Sequence, residues 1–355
     1  MKNSIISFRI FTPILIALST FWLSIECVPK KEPIRINLWY GEEQNFGHLG
    51  TPQCWVNILG NISAPDSVVL ACAVINQSDT MILSLGQDYH RLARPGDFNV
   101  DIDRHKLRVG ENLIEIVARD SSGRRASKTV KVRLHAGNTW PLPYEIHWDE
   151  VNQITDVAEI LDGKWELTAD GVRTSELYYD RILTIGDSTW TDYELETMLI
   201  FHDFTPPTPG PPTYNVSHAA IASRFPGHDV DDFQPYRKWF PLGATSEFRL
   251  TAQLDSCRWR IFDGENLYVE QSPEQYRTIE LGRVYGMKHR VETLPDGQTR
   301  YSVKLWPSDQ AEPQAWDLIA IEPPGNLLNG AALLIAHNAD VTFGDVRVTP
   351  LSSAN

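Results

Sequence analysis

The chain has 355 residues, of which 42% are hydrophobic, 22% charged and 10% aromatic. That is a globular composition, long enough for two ordinary domains with separate cores. A net charge of −14 disfavours nucleic acid as a partner, because phosphate neutralisation needs clustered Lys and Arg, and the sequence has no such cluster or basic aromatic stripe.

The chain opens with MKNSIISFRIFTPILIALSTFWLSIECVPKK, in which Lys2 and Arg9 precede an apolar run from Ile10 to Ile25. A positive start followed by a run shorter than the ~20 residues of a membrane span is the layout of a secretory signal. We read residues 1–27 as a signal peptide or an N-terminal anchor, and the protein as secreted or at the cell surface. Membrane attachment then depends on that segment staying uncleaved. Glu26 ahead of Cys27 does not suit a lipid-anchor signal.

Helical periodicity is nearly absent downstream. Short alternating runs separated by Gly, Pro, Asn and Asp predict an all-β protein. Residues 32–136 give about seven strands with the spacing of an immunoglobulin-like β-sandwich, including 54–59, 68–75, 113–119 and 127–134. The Cys…Trp…Cys pattern of true immunoglobulin domains is missing. Around Asp120-Ser-Ser-Gly123 two alternating runs form a hairpin signature. Cys54 and Cys72 are equidistant from position 63, so a hairpin about Asn61-Ile-Ser-Ala-Pro-Asp66 sets them opposite each other. Exported, they could pair for about 3 kcal/mol; two buried thiols are the alternative.

Residues 137–143 interrupt the alternation and read as a linker. A second β domain follows over 144–352. Side chains alternate along a strand, so Tyr193, Leu195, Thr197, Leu199 and Phe201 form an inward row. So do Met287, His289 and Val291, and Tyr301, Val303 and Leu305. The outward rows then carry Glu194 and Glu196, Lys288 and Arg290, and Ser302, Lys304 and Trp306.

Four stretches occur in order here: DGKWELTADGVRT, IGDSTWTDYELETMLIFH, MKHRVETLPDGQTRYSVKLWPSDQAEPQAWDL and GAALLIAHNADVTFGDVRVTP. Together they resemble the concanavalin A-like lectin/glucanase superfamily, in its laminin-G-like jelly-roll form. The first domain resembles the immunoglobulin-like accessory module of bacterial secreted proteins. In such jelly rolls one outer face curves into a groove where sugars bind, so the resemblance implies a carbohydrate or polysaccharide partner.

On that basis Lys288, Arg290, Lys304 and Trp306 on the outward rows are candidate ligand residues. The loop SRFPGHDVDDFQPYRKWFPLGA adds Arg224, His228 and Trp239. Trp306 either stacks on a sugar or packs beneath the PSDQAEP loop. Trp316, with Glu312 and Pro313, is expected to pin that loop to the sheet. No cofactor is expected. Asp229, Asp231 and Asp232 leave calcium as an alternative, without the spacing of a helix–loop–helix calcium loop. The histidines show no zinc spacing, and His337 is expected to cap a turn.

Asp192, Glu194 and Glu196 share one strand face with Cα atoms roughly 6.8 Å apart, a separation that permits glycoside hydrolysis. Their order, Asp-x-Glu-x-Glu, departs from the Glu-x-Asp pattern of the superfamily's laminarinases, so a solvated strand face is expected. The sequence therefore points to an exported, non-catalytic carbohydrate-binding protein. A glycoside hydrolase or disaccharide-derivative hydrolase, and a structural or adhesive module with a cell-surface protein partner, are the competing readings.

Overall fold

The computed structural model describes residues 32–88, 91–207, 216–227, 242–263, 268–271, 276–325 and 327–351. The signal-like segment lies outside them. The first strands in chain order are β1 (Arg35–Leu38), β2 (Glu43–Phe46), β3 (Trp55–Ser63) and β4 (Val68–Ile75). They are followed by β5 (Asp79–Ile82), β6 (Asp97–Asp103), β7 (Gly110–Asp120) and β8 (Arg125–Leu134). A three-stranded sheet, β1-β3-β6, faces a five-stranded one, β2-β8-β7-β4-β5. Their alternating apolar rows meet in a core that includes Ile58, Phe98, Ile116 and Val130, all fully buried. Each such side chain contributes about 1.5–3 kcal/mol by leaving water.

The β7–β8 hairpin turns where its sequence predicts. Asp120 accepts hydrogen bonds from the backbone N–H groups of Ser122 and Arg124, each at 3.0 Å, and Gly123 takes φ +86°. The expected Cys54–Cys72 hairpin does not form. β3 and β4 lie in different sheets, so the segment between them crosses the sandwich. Cys54 is exposed, Cys72 is buried and both are free thiols.

The second half continues with β9 (Tyr144–Ile146), β10 (Glu159–Asp162), β11 (Glu166–Thr168), β12 (Gly171–Thr174) and β13 (Arg181–Ile185). Next come β14 (Tyr193–Phe204), β15 (His218–Phe225), β16 (Ala244–Arg249), β17 (Arg258–Phe262) and β18 (Tyr268–Gln271). The last are β19 (Val284–Thr293), β20 (Thr299–Pro307), β21 (Leu318–Glu322), β22 (Ala331–His337) and β23 (Ala339–Pro350). One sheet has seven strands in the order β10-β13-β22-β15-β16-β17-β18. The other has eight, β11-β12-β23-β14-β19-β20-β21 with β9 beside β23. The inward rows read from alternation all face the shared core: Tyr193, Leu195, Leu199 and Phe201 are fully buried, as are Met287, Val291, Val303 and Leu305. The chain is all-β, two β-sandwiches in succession.

The sandwiches have separate cores but a common polar seam inside one compact unit, Pro33–Asn355. Arg91, 5% exposed, donates to Asp101 at 2.8 and 3.0 Å and to Asp162 at 2.8 Å. Arg181, fully buried, donates to Glu176 at 3.0 Å and to the Arg91 carbonyl at 2.9 Å. The segment read as a linker is anchored at Trp140, which is buried. Its N–H donates to Asp187, and its carbonyl accepts from the Trp190 indole at 3.1 Å. Asp187 also accepts from the Thr51 N–H of the first sandwich at 2.9 Å.

Candidate functional site

Register places the predicted outward row together. β19 pairs with β20 so that Lys288 stands opposite Lys304 and Gly286 opposite Trp306. Two like charges side by side destabilise a sheet unless an anion lies between them, and the chain supplies one. The loop after β20 folds back, and the Glu312 carboxylate sits 2.8 Å from Lys288 Nζ and 2.7 Å from Lys304 Nζ. Lys304 also donates to the Pro313 carbonyl at 2.8 Å. The Trp316 ring lies over Lys304 Nζ at 4.6 Å and over the Arg290 guanidinium at 5.1 Å. Asp317 closes the loop by accepting from the Leu305 N–H at 2.9 Å and the Trp259 indole at 3.1 Å.

This face is closed rather than offered to a ligand. Lys288, Lys304 and Trp306 are 7%, 5% and 7% exposed. Trp306 lies flat across β19, where a side chain at Gly286 would meet its indole within 2.4 Å. The four residues gather on one face, as alternation predicts; Lys288 and Lys304 are buried against Glu312 of the PSDQAEP loop and Trp306 against Gly286. Arg290 keeps partial solvent access while donating to Glu194 at 2.9 and 2.6 Å. Burial works against the Lys288 charge, yet Glu312, Glu196 and Glu194 hold its pKa above the ordinary value. The Glu312 carboxyl is held below its own by the two lysines, against the opposing effect of desolvation. Glu196 also accepts from Arg347 at 3.0 Å. The DYELE carboxylates thus form a mixed-charge face.

Arg224 lies apart from that face. A register shift between Ala222 and Phe225 and φ +55° at Arg224 turn its side chain out of the strand's alternation, and it is fully buried. All five of its N–H donors are used. They bond the Thr191 and Leu327 carbonyls, the Thr293 and Thr299 hydroxyls and Asp192, at 2.7–3.2 Å. Arg224 therefore staples β15 of the seven-stranded sheet to the ends of β14, β19 and β20 in the other. His228 and Trp239 lie outside the described residues, as do Asp229, Asp231 and Asp232.

Sequence reasoning missed a cleft of about 450 Å³ at the seam. Trp39 and Tyr40, on the turn after β1, form one wall, and Trp165 the floor. Asn152 and Gln153, ahead of β10, and Glu166 on β11 line the rest. Tyr40 fixes the geometry: its hydroxyl donates to the Gly163 carbonyl at 2.7 Å and accepts from the Trp165 N–H at 2.9 Å. Burial raises its pKa far above the ordinary phenol value, so it stays a neutral donor. Trp39 is half-buried, whereas Asn152, Gln153 and Glu166 are exposed. The only sequence signal was two adjacent aromatics ahead of a turn glycine, Gly41 at φ +82°.

A third cluster occupies the outer face of the seven-stranded sheet. His218 on β15 and His337 on β22 are register partners, with rings stacked at 4.6 Å and 9°. Asp180, just before β13, accepts from His337 Nδ1 at 2.6 Å. All three are buried. Among the described residues, His218 Nδ1 and His337 Nε2 have no hydrogen-bond partner. Burial, with His337 and Arg249 nearby, pushes the His218 pKa well below the ordinary imidazole value, so the ring is neutral. The turn after β22 is tied by Asn338, whose side chain donates to the Val216 carbonyl at 3.0 Å. His337 thus pairs with Asp180 rather than capping that turn.

No protein-family model matches the sequence, and no curated protein does. Among solved structures the chain is similar to the carbohydrate binding module CBM66 from Bacillus subtilis, at 14% identity and TM-score 0.36, over 54% of this chain and 94% of that one. It is similar to the VIP36 exoplasmic/lumenal domain in its Ca2+/Man2-bound form, at 12% and 0.36, over 59% and 89%. It is also similar to xylan beta-1,4-xylosidase from Bacillus halodurans C-125, at 11% and 0.35, over 85% of this chain and 64% of that one. Values this low carry no weight for the function.

Proposed function

We propose that the protein is an exported carbohydrate-binding protein and that it seats a saccharide in the seam cleft. The observation that carries this reading is the half-buried Trp39 indole beside Asn152, Gln153 and Glu166 in a concave space of about 450 Å³. Sugar rings present apolar C–H faces and a rim of hydroxyls. An aromatic platform flanked by amides and a carboxylate complements both. The Tyr40 hydroxyl is held between the Gly163 carbonyl and the Trp165 backbone N–H, and the Trp165 indole donates to the Asp162 carbonyl, so these two rings are pre-formed and little ordering is lost on binding. The signal-like N-terminal pattern supports export. The resemblance of the sequence to laminin-G-like jelly rolls supports a sugar as the ligand of the cleft where the two sandwiches meet.

The test is binding of the full chain to a glycan array and to insoluble polysaccharides. Trp39→Ala is expected to lower affinity about tenfold or more, as loss of a stacked aromatic does, with the fold unchanged by circular dichroism. Wild-type protein that binds no glycan overturns the reading. Reducing-end release measured on the same panel separates binding from hydrolysis.

A further inference from the structure

Asp180, His218 and His337 come from three neighbouring strand ends, and one ligand atom from each lies within 4.8 Å of the other two. Buried polar atoms in folded proteins are almost always paired. Here two imidazole nitrogens in one cluster are not: His218 Nδ1 and His337 Nε2, on residues each 4% exposed. Of the other two ring nitrogens, His337 Nδ1 is hydrogen-bonded and His218 Nε2 has a carboxylate nearby. Asp180 takes His337 Nδ1 at 2.6 Å, and Glu247 Oε1 stands 3.8 Å from His218 Nε2, itself held by Arg249 at 2.6 Å. Glu247 beside His218 Nε2 is placed as the outer carboxylates that orient metal-ligating imidazoles are, whereas Asp180, bonded directly to His337 Nδ1, is placed to share an ion with that nitrogen.

We propose that Asp180, His218 and His337 form a binding site for a divalent transition metal of the zinc class. Two neutral imidazoles and one carboxylate suit zinc, cobalt or nickel. Calcium takes 6–8 oxygens, and this cluster offers one carboxylate. The ion takes the place of the proton between Asp180 and His337 Nδ1, and the His218 ring turns about its Cβ–Cγ bond, out of the near-parallel stack, to bring its Nδ1 onto the same ion. His218 is free to do so because its Nδ1 has no hydrogen bond to break. The bound ion ties β13, β22 and β15 together at one end of the seven-stranded sheet. This site is separate from the seam cleft and does not rest on the carbohydrate reading.

The test uses the full chain, stripped with chelator and titrated with Zn2+ by calorimetry and with Co2+ by visible absorption. One equivalent per chain is expected, with the intense d–d bands of a low-coordinate nitrogen–oxygen Co2+ site. His218→Asn and His337→Asn should each abolish the bands, and Glu247→Gln should weaken binding about 10- to 100-fold. The wild-type Co2+ spectrum needs no variant, so a folding failure in one of them does not remove the test. No saturable Zn2+ or Co2+ binding by the wild type overturns the proposal. So does one-equivalent binding that survives in the folded double variant, or uptake of Ca2+ in preference to Zn2+.

Discussion

The outer face of the eight-stranded sheet and the seam cleft present the same residue types, tryptophan beside charged and amide groups, and they come to opposite ends. On the sheet face the cations meet acceptors from their own chain: the buried Lys288 and Lys304 meet Glu312, and the partly exposed Arg290 meets Glu194. In the cleft Trp39 is half-open beside exposed amides and a carboxylate. Residue type alone does not separate a closed structural cluster from a site. Which polar groups are already satisfied does. The His218–His337 pair makes the same point from inside the protein, being buried and yet incompletely bonded.

The strongest way to break this comparison is to remove a group assigned to structure. Arg224→Ala removes the guanidinium from Asp192, two threonine hydroxyls and two carbonyls, leaves Asp192 only its bonds from Thr293, and opens a void between the sheets. It is expected to cost about 3–5 kcal/mol, seen as a lower urea midpoint at unchanged slope. Stability unaffected by this change contradicts a staple. Glu312→Gln should cost about 1–3 kcal/mol, because Lys304 keeps only a carbonyl and Lys288 loses its closest anion. Since the folded Glu312 pKa is depressed, its contribution is present above the ordinary carboxylate range and lost as pH falls through the folded value. The variant should flatten that acid loss.

His289 sharpens the contrast between satisfied and strained burial. It lies between the sheets against the Ser246 hydroxyl at 3.0 Å, and burial lowers its pKa from 6.5 to about 3. The unfolded chain binds a proton that the folded chain refuses. Stability is therefore complete above pH 6.5 and falls by about 1.4 kcal/mol per unit below it, until pH about 3. His289→Asn removes that slope, and an unchanged acid profile in the variant counts against it. The smallest effect expected is for Trp316→Ala, about 0.5–1 kcal/mol from lost cation–π contacts at a half-exposed site, without change in glycan binding.

Much of the fold was legible because burial on one side imposes alternation. The rows from Tyr193 to Phe201 and from Tyr301 to Leu305 face inward as read. The opposition of Lys288 and Lys304 also follows from strand pairing, and it demanded an anion that Glu312, in a loop already suspected of packing on Trp306, could supply. Arg224 was not legible, since a single bulge with a left-handed residue reverses the direction that alternation assigns. Cys54 and Cys72 misled because symmetric spacing about a turn does not say whether the chain returns to the same sheet or crosses to the facing one. The histidine cluster joins residues 157 positions apart, and the cleft joins two sandwiches. Neither leaves a local spacing to find.

The most direct measurement is the glycan affinity of three folded proteins side by side: wild type, Trp39→Ala and Lys304→Met. The account predicts that Trp39→Ala loses about tenfold or more while Lys304→Met binds as wild type does. Binding that survives at Trp39→Ala and vanishes at Lys304→Met would place the ligand on the sheet face and contradict the account.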